Sequence, residues 1–247
     1  MTATPLDRQT VLITGAANGL GRALASAFDK VGSNLILLDV NAEALEETAR
    51  MLSRPASLHV VDLSDTAATA AAVSRIRETS PILHTLIHNA GYLVPKSYAA
   101  MEQEDWDRTF NVGVQAAHLL TKAWWNDWLQ TGAAVIYVSS RSGIEGGKDH
   151  SAYVATKHAL EGLVKVLGEE GRQAGIMVHT VTPGGYMRTP MSEQNHPIEL
   201  RSKWVDAIRF TAGFLYLAER RDPTLSGQRL SAWELSEQHR GLYPALD

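Results

Sequence analysis

The sequence has no cysteine among its 247 residues. Neither a disulfide nor thiolate chemistry is therefore available to this protein. A chain without cysteine is compatible with the reducing cytoplasm, but it is compatible with other compartments as well. The absence excludes a class of chemistry and says little about location.

An excess of basic residues is also missing. Lys and Arg total 23 against 27 Asp and Glu, which gives a formal net charge of −4, and the basic residues are scattered along the chain. Nucleic-acid binding usually leaves a basic patch, so we expect no nucleic-acid partner. No apolar run is long enough to cross a bilayer, and the first residues, "MTATPLDRQTVLITGAANG", lack the pattern of a signal peptide. We predict a soluble cytoplasmic protein with no membrane partner.

Low-complexity linkers and internal repeats are absent too. The composition, 45% hydrophobic and 20% charged, is that of an ordinary globular protein, and the length suits one large α/β domain or two small ones. Since nothing divides the chain, we predict a single domain over 1–247.

Buried strands alternate with amphipathic helices along the chain. The predicted strands are "TVLITGA", "NLILLDV", "SLHVVDL", "TLIHNAG", "AVIYVSS", "IMVHTVTPG" and a short last one near "GQRLSA" at 227–232. Helices are predicted over Leu20 to Val31, Ala42 to Leu52 and about Trp204 to Ala218. Right-handed crossovers between such strands give a doubly wound parallel sheet, the Rossmann fold, whose ligand crevice lies at the carboxyl ends of the strands.

A glycine cluster, "TGAANGLG", follows the first predicted strand and leads into a helix. Gly15 allows a tight turn, Gly19 lets the backbone approach a pyrophosphate, and Gly21 lets the helix pack closely. The helix N-terminus adds N–H donors and a positive dipole end. An ordinary strand-to-helix turn is the alternative, but the flanking strand and helix favour nucleotide binding.

Asp39 ends the second predicted strand, where a carboxylate can accept hydrogen bonds from an adenosine ribose. It would repel a 2′-phosphate, and Ala17, Asn18 and Val40 offer no compensating positive charge. We therefore predict NAD rather than NADP as the cofactor. The alternative is an Asp that caps the following helix.

Tyr153 and Lys157 lie four residues apart in the helical segment "SAYVATKHAL" and so share one helix face. Taken alone, such a pair is more often part of a solvated face than of an active site. The surrounding motifs decide between the two interpretations.

Those motifs occur in the order that is typical of one enzyme family. They are "TGAANGLG" at 14–21, "DL" at 62–63, "NAG" at 89–91, "FNV" at 110–112, "YVSS" at 137–140, "YVATK" at 153–157 and "PGGYMRTPM" at 183–191. With them, and over about Gln9 to Ala232, the chain resembles the short-chain dehydrogenase/reductase family.

The resemblance implies an NAD-dependent oxidoreductase and assigns residues to it. The implied catalytic residues are Asn111, Ser140, Tyr153 and Lys157. The implied cofactor-binding residues are Gly15, Asn18, Gly19, Leu20, Gly21, Asp39, Asp62, Leu63, Asn89, Ala90, Gly91, Tyr153, Lys157, Pro183, Gly184, Met187 and Thr189. Two of these have alternatives: Ser139 competes with Ser140, and Asn111 could be a tolerated polar residue at a helix bend.

Hydride transfer at a carbinol carbon requires a proton to enter or leave its oxygen. A free tyrosine is a poor base because its pKa is about 10. We expect the ammonium of Lys157 and the charge of oxidised nicotinamide to lower the pKa of Tyr153. By resemblance, Lys157 would also bind the nicotinamide ribose, Ser140 would bind the substrate oxygen, and Asn111 would hold a water.

The chain departs from the family pattern at several points. His88 stands where the family usually has Asn, and the family often has Asn again near His179. The nine histidines have no metal-site spacing, so we predict no metal. The segment "PGGYMRTPM" is one residue longer than expected, and the residues that follow it resemble a mobile substrate lid over about 185–205. A tail over about 233–247 replaces the usual paired glycines; it could dock on a neighbouring subunit, cover the site or extend over the surface.

The substrate pocket and the oligomeric state rest on weaker signals. Apolar residues at Ile144, Tyr186, Met187, Met191 and Trp204 suggest a partly apolar alcohol or ketone, whereas the basic residues Arg141, Lys148, His150 and Arg188 could attract an anion. Trp124, Trp125 and Trp128 lie on one helix whose first and last indoles share a face, which core packing explains. By resemblance that helix belongs to an intersubunit bundle, so a homodimer or homotetramer is expected.

The sequence therefore predicts an oxidoreductase acting on a secondary alcohol or its ketone. A catalytically silent dinucleotide sensor is the alternative, although such a protein would be free to lose Tyr153, Lys157 or Ser140, and this chain keeps all three together with Asn111. A nucleotide-sugar epimerase usually needs a larger substrate domain than the C-terminal segment allows.

Overall fold

A computed structural model describes residues 4–195 and 197–246. Its main sheet has seven parallel strands: β1 (Thr10–Thr14), β2 (Asn34–Asp39), β3 (Ser57–Val60), β4 (Thr85–His88), β5 (Ala133–Val138), β6 (Ile176–Thr182) and, last in the chain, Arg229–Ser231. Two further strands, β7 (Met187–Arg188) and β8 (Val205–Asp206), form a separate two-stranded sheet. They precede Arg229–Ser231 in the chain, so that last strand is β9. The sheet order is β3-β2-β1-β4-β5-β6-β9, as the doubly wound prediction requires. The winding reverses between β1 and β4, so their carboxyl ends border the predicted crevice.

Helices cover both faces of the sheet. They are α1 (Gly19–Lys30), α2 (Ala42–Arg50), α3 (Thr66–Thr79), α4 (Gln103–Phe110), α5 (Ala116–Thr131), α6 (Ser151–Gly171), α7 (Pro190–Asn195), α8 (Ala212–Arg220) and α9 (Ala232–His239). Within the described residues, none of them combines the length and the hydrophobicity that crossing a bilayer requires.

The core consists of two apolar layers, one on each face of the sheet. Val11 and Ile13 of β1 pack in one layer, and Leu12 between them packs in the other. Successive side chains of a strand point to opposite faces, so a strand that is apolar at every position must be covered on both sides. The apolar runs of β1, β2, β4, β5 and β6 are therefore confirmed as buried strands, whereas the prediction of a buried strand is wrong for β3, which lies at the sheet edge and has no buried residue.

The helix predicted over about Trp204 to Ala218 is wrong in its first half. Val205 and Asp206 form β8, which pairs with β7, and the Asp206 carboxylate accepts a hydrogen bond from the N–H of Ile208 and begins a 3₁₀ turn over Ala207–Phe210. A regular helix begins only at Ala212. Pairing with β7 decides the conformation of this segment, and a pairing between distant residues leaves no trace in a local hydrophobic pattern.

The predicted lid segment is a series of short elements. Strand β7 leads into the single-turn helix α7, a 3₁₀ turn over Ile198–Lys203 follows, and β8 returns beside β7. His196 lies outside the described residues. The two paired strands bring the ends of the segment together, so the residues between them form one loop.

The C-terminal tail packs against its own chain. After α9, the phenol of Tyr243 donates a hydrogen bond of 2.9 Å to Glu219 on α8. Tyr243 and Leu246 are buried in the same apolar layer as Leu6, which lies near the N-terminus of the chain. The apolar side chains of the tail therefore belong to the core of their own chain.

The tryptophans of α5 divide as their spacing predicts. Trp124 and Trp128 are buried in the core, and the Trp128 indole donates a hydrogen bond to the carbonyl of Leu83. Trp125 is partly exposed on the other side of the helix, beside Leu163 and Leu167 of α6. Core packing accounts for two of the three indoles and leaves the third at the surface.

Gly21 sets how closely α1 approaches the end of β1. A Cβ atom built on this residue would lie 1.9 Å from the carbonyl oxygen of Gly15, far inside any allowed contact. In contrast, a Cβ on Gly162 of α6 would meet no atom within 4 Å. Both glycines are helical, so the two positions separate the effect of helix propensity from that of steric fit.

We expect Gly21→Ala to lower the free energy of unfolding, because the new methyl group must push the Gly15 turn away from α1. Gly162→Ala is the matched control; it should leave stability unchanged or raise it by up to about 1 kcal/mol, the helix-propensity difference between the two residues. Urea denaturation followed by tryptophan fluorescence measures both changes. Equal effects of the two substitutions would contradict the steric explanation.

Candidate active site

The glycine turn after β1 has the backbone that its sequence predicts. Gly15 and Gly19 adopt positive φ angles of 65° and 53°, a conformation that L side chains rarely adopt. Asn18 occupies the N-cap of α1, and its side chain makes no capping hydrogen bond with the first helical N–H groups. The positive end of the helix dipole is thus directed at the crevice with its N–H donors available to an anion.

The turn formed by Asn89, Ala90 and Gly91 is fastened to the end of β1. The Thr14 hydroxyl accepts hydrogen bonds from the N–H groups of Asn89 and Ala90, and the Asn89 amide donates to the carbonyls of Thr14 and Gly15. Four hydrogen bonds thus join the two loops that border the crevice. Sequence analysis missed Thr14, whose only signal is a hydroxyl at the end of an apolar strand.

His88 continues this hydrogen-bonded chain into the core. Its Nε2 lies 3.0 Å from the carbonyl oxygen of Gly113, which can only accept, so Nε2 carries the proton and Nδ1 accepts from the Thr14 hydroxyl. Burial, together with the charge of Lys157, lowers the pKa of His88 to about 4, which keeps the ring neutral at pH 7. His179 is also buried, and desolvation lowers its pKa to about 4 as well. Both are hydrogen-bonded core residues.

Asp39 lies at the end of β2 beside the glycine turn. Its carboxylate accepts hydrogen bonds of 2.9 Å from the N–H of Ala17 and 3.0 Å from that of Asn41. Asn41, rather than Asp39, caps α2, so the capping alternative for Asp39 is wrong. The guanidinium of Arg22 also approaches the turn, but it donates to the Ala17 carbonyl, to α2 and to Glu47.

Asp62 and Leu63 follow β3. Leu63 is buried, and the Asp62 carboxylate accepts hydrogen bonds from the Ser64 N–H and hydroxyl. Burial would raise the pKa of Asp62, but the bonds from Ser64 and the charge of Arg108 outweigh it and hold the pKa below its usual value. The amide of Asn111 donates to the carbonyl of Ser64, which links this segment to the next motif.

Asn111 begins a single π-helical turn, Asn111–Gln115, between α4 and α5. π-turns inside helices are rare and occur frequently at functional sites. At Gly113 a Cβ would lie 2.2 Å from Thr156 of α6, next to Lys157, so the turn approaches α6 closely. The helix irregularity considered as an alternative for Asn111 is therefore present, and it lies beside the candidate catalytic helix.

Tyr153 and Lys157 project from α6 toward the turn after β4. A Cβ on Gly91 would lie 3.7 Å from Lys157 Nζ and 4.0 Å from Tyr153 Cε2, and the ammonium lies 5.3 Å from the centroid of the phenol ring. Lys157 is only 3% exposed, and its Nζ donates a hydrogen bond of 2.8 Å to the carbonyl of Val138. The pair is therefore at the end of the sheet and is not on a solvated helix face.

The expected lowering of the Tyr153 pKa is wrong for the protein by itself. Burial of the phenol raises its pKa to about 12, and interaction with the Ser140 side chain opposes only part of this. Desolvation disfavours tyrosinate more strongly than the surrounding groups favour it. Burial likewise lowers the pKa of Lys157 to about 8, although the charge of Glu161 raises it. The low dielectric thus moves both groups toward their neutral forms.

The structure separates Ser140 from Ser139. Ser140 interacts with Tyr153 and accepts a hydrogen bond from the N–H of Ser142, which places it at the start of a 3₁₀ turn. Ser139 is buried, and its hydroxyl donates to Glu161 at 2.5 Å. Only Ser140 thus shares the pocket of the phenol.

The segment after β6 closes against the glycine turn. A Cβ on Gly19 would lie 3.0 Å from Thr189 Cγ2, and Thr189 exchanges hydrogen bonds with Ser192 at the start of α7. Pro183 and Gly184 leave β6, with Gly184 at a φ of 71° against Ser231 of β9. Met187 packs on the apolar layer from β7. The extra residue in this segment does not displace Thr189 from the crevice.

The chemical groups of these elements are those that a dinucleotide requires. At one end of the crevice are the helix N-terminus, Gly19 in close contact with Thr189, and the carboxylate of Asp39; at the other are Tyr153 and Lys157. Backbone N–H groups suit a pyrophosphate, a carboxylate suits ribose hydroxyls, and the buried ammonium suits a second ribose. In the described residues no group of three or more His, Asp and Glu side chains has the geometry of a metal site.

Two basic residues near the site already have acidic partners. Arg141 pairs with Glu145 at 3.4 Å and Arg188 with Glu193 at 2.9 Å. By comparison, Ile144, Tyr186 and Met191 expose apolar surface on the same loop and lid. These observations bear on the substrate question that the sequence leaves open.

Comparison with known proteins identifies the family. A family model described as "short chain dehydrogenase" matches residues 9–199. Oxidoreductase UcpA of Escherichia coli (strain K12) is 34% identical over 192 residues, which cover 76% of this chain and 73% of that protein. D-threitol dehydrogenase of Mycolicibacterium smegmatis is 30% identical over 182 residues, covering 72% and 70%.

Solved structures agree in fold. A short chain dehydrogenase from Shigella flexneri 2a, complexed with NADP, has a TM-score of 0.82 at 28% identity, covering 92% of this chain and 98% of its own. Levodione reductase has a TM-score of 0.82 at 23% identity, covering 96% and 99%, and supports the fold alone. On the match to its family model and to these relatives, the chain belongs to the short-chain dehydrogenase family.

Proposed function

We propose that this protein is an oxidoreductase that transfers a hydride between nicotinamide and a secondary alcohol or ketone. One observation carries the proposal: Tyr153, Ser140 and the buried Lys157 meet where the carboxyl ends of β4 and β5 border the glycine turn. A silent dinucleotide sensor would have no use for a phenol and a hydroxyl converging beside a buried ammonium.

Each side chain of the candidate site has a role in the proposed reaction that fits its surroundings. Protonated Tyr153 gives its proton to the oxygen of a bound ketone, or takes one from an alcohol in the reverse direction. Ser140 hydrogen-bonds the same oxygen and stabilises developing charge. Lys157 favours tyrosinate whenever the proton leaves, and Asn111, at its π-turn, holds a water through which protons reach solvent.

A nicotinamide dinucleotide would supply or accept the hydride. Gly15, Asn18, Gly19, Leu20 and Gly21 would hold its pyrophosphate. Asp39 would bind the adenosine ribose, with Asp62 and Leu63 at the adenine. Asn89, Ala90, Gly91, Tyr153, Lys157, Pro183, Gly184, Met187 and Thr189 would surround the nicotinamide half. The apolar surface of Ile144, Tyr186 and Met191, and the acidic partners of Arg141 and Arg188, favour a partly apolar substrate.

We expect Tyr153→Phe to abolish most turnover while leaving cofactor affinity nearly unchanged, since only the phenolic proton is lost. Ser140→Ala should cost about 2–4 kcal/mol of transition-state stabilisation, as the loss of an oxyanion donor does. A panel of secondary alcohols and ketones, followed at the nicotinamide absorbance, measures kcat/KM, and fluorescence titration measures cofactor binding.

Tyr98→Phe is the matched control because it removes a phenolic hydroxyl from a tyrosine that is 80% exposed and has no role in the proposed reaction. If Tyr153→Phe kept wild-type kcat, Tyr153 would not be the acid/base. If the wild-type protein bound cofactor but turned over no member of the panel, the dinucleotide-sensor function would be the better explanation.

We further propose that the cofactor is NAD. Both oxygens of the Asp39 carboxylate already accept backbone N–H groups, which fixes a negative charge where a 2′-phosphate would lie. Arg22, a cation near the turn, is engaged by Glu47 and by three oxygen acceptors. A related structure from Shigella flexneri contains NADP, so the family alone does not choose between the two cofactors.

Asp39→Ser should strengthen NADP(H) binding relative to NAD(H) by at least about tenfold, the change that 1.4 kcal/mol of lost repulsion produces. Glu43→Gln, which removes an exposed carboxylate in the first turn of α2, is the matched control and should leave the ratio of the two dissociation constants unchanged. Isothermal titration with each cofactor measures that ratio. Tighter binding of NADP(H) than of NAD(H) by the wild-type protein would overturn the assignment.

A cytoplasmic homo-oligomer, dimer or tetramer, completes the proposal. On the surface between α5 and α6, Trp125 lies beside Leu163 and Leu167, and Val166 and Leu129 are also exposed. Apolar groups that adjoin on two long helices give a second copy a face to bury.

Sedimentation velocity at micromolar concentration should therefore show a dimer or tetramer, and Trp125→Glu should shift the distribution toward the monomer because it places a charge in the buried face. Lys30→Glu, at the C-terminal end of α1, makes a charge change away from this face and serves as control. A wild-type protein that sediments as a monomer would contradict the oligomer proposal without affecting the assignment of the reaction.

A further inference from the structure

A second buried charge lies on the helix that carries Tyr153 and Lys157. Glu161 is one turn beyond Lys157 on α6 and is 9% exposed. An acidic residue is rarely buried unless it is paired, and neither the glycine turn nor the proposed proton transfer uses this one. Its position, four and eight residues after Lys157 and Tyr153, puts all three on one helix face.

The Glu161 carboxylate has three donors from three different strands or strand ends. Oε1 accepts from the Ser139 hydroxyl at 2.5 Å and from Arg229 of β9 at 3.0 Å, and Oε2 accepts from the Thr180 hydroxyl of β6 at 2.6 Å. Ser139 immediately precedes Ser140. The carboxylate thus ties α6 to the strand end that carries the candidate oxyanion donor.

The turn that follows Ser140 also rests on this carboxylate. A Cβ on Gly143 would lie 2.8 Å from Glu161 Oε1 and 2.8 Å from Ser139 Oγ. No larger residue fits there without moving the glutamate or the serine. Two contacts therefore fix the backbone around Ser140: the hydrogen bond from Ser139 to Glu161 and the close approach of Gly143 to the same carboxylate.

Lys157 has neutral and charged neighbours. Tyr153 and Glu161 share its helix face, neutral His88 faces it from β4, and Arg229 of β9 donates to Glu161. A negative charge beside a buried ammonium favours its protonated form, and a positive charge behind that carboxylate weakens the effect. The direct polar partner of Lys157 is the uncharged carbonyl of Val138, and the negative charge of Glu161 raises the pKa of Lys157 against desolvation.

We propose that Glu161 is a positioning residue of the candidate active site: its carboxylate, balanced by Arg229, keeps the charge on Lys157 and fixes the strand end that carries Ser140. The inference rests on the proposed function only in so far as Lys157 and Ser140 belong to the reacting site. A purely structural ion pair between Glu161 and Arg229 would stabilise the fold without changing the ionisation of Lys157.

Two substitutions separate these possibilities because they act on Lys157 with opposite signs. Glu161→Gln removes the negative charge and should lower the midpoint of the Lys157 ammonium titration by about one pH unit. Arg229→Met leaves the carboxylate unbalanced and should raise the midpoint by a comparable amount. Arg229→Lys, which keeps the charge, should leave it near the wild-type value.

The midpoint is measured without cofactor or substrate, by NMR titration of the Cε resonances of ¹³C-labelled lysine, with Lys157→Met to assign the signal and circular dichroism to verify folding. Should one single variant fail to fold, the double variant Glu161→Gln/Arg229→Met, which removes both members of the Glu161–Arg229 ion pair, should titrate close to the wild type. Shifts in the same direction in both single variants, or no shift in either, would overturn the proposal. Absence of turnover would overturn the proposed reaction and leave this result standing.

Discussion

Burial of the Lys157 ammonium is the constraint on which the candidate site depends. A charge 3% exposed is costly unless neighbouring groups compensate it, and here the compensation comes from the Val138 carbonyl and the carboxylate of Glu161. His88 faces the same ammonium but stays neutral because burial and the charge of Lys157 lower its pKa. The ammonium therefore depends on the neutral charge of His88 as well as on the negative charge of Glu161.

Precise placement in this site comes from hydrogen bonds between loops. The Thr14 hydroxyl accepts hydrogen bonds from the N–H groups of Asn89 and Ala90 and donates one to Nδ1 of His88 on β4. The carbonyl of Gly113 can only accept, so His88 must donate to it. This fixes the donor and the acceptor of each hydrogen bond that links the π-turn, through His88 and Thr14, to the glycine turn. Parallel strands bring their carboxyl ends to one edge, and these polar contacts then set the distances between the loops that leave that edge.

Sequence patterns predicted what depends on local order. The strands, the glycine turn and the helix face shared by Tyr153 and Lys157 all follow from the spacing of residues along the chain, and the structure confirms them. What depends on pairing between distant segments was missed: the β7–β8 pair that shortens the predicted helix, the contact of Glu161 with Arg229, and the tail that joins the core. Glu161 did leave one signal, an acidic residue on the helix face that Tyr153 and Lys157 share, but its partners lie on other strands.

The low dielectric of the buried site also explains why the pKa of Tyr153 is raised and not lowered as expected. Neighbouring charges alone would lower the pKa of Tyr153, but desolvation raises the pKa of a buried phenol and lowers that of a buried amine. A protonated phenol beside an ammonium is ready to donate a proton, as reduction of a ketone requires. The reverse direction of the proposed reaction would need a further positive charge beside the phenol, which oxidised nicotinamide would supply and reduced nicotinamide would not. In a site with so little solvent that charge acts with little screening, so the redox state of the cofactor itself would decide whether the phenol serves as acid or as base.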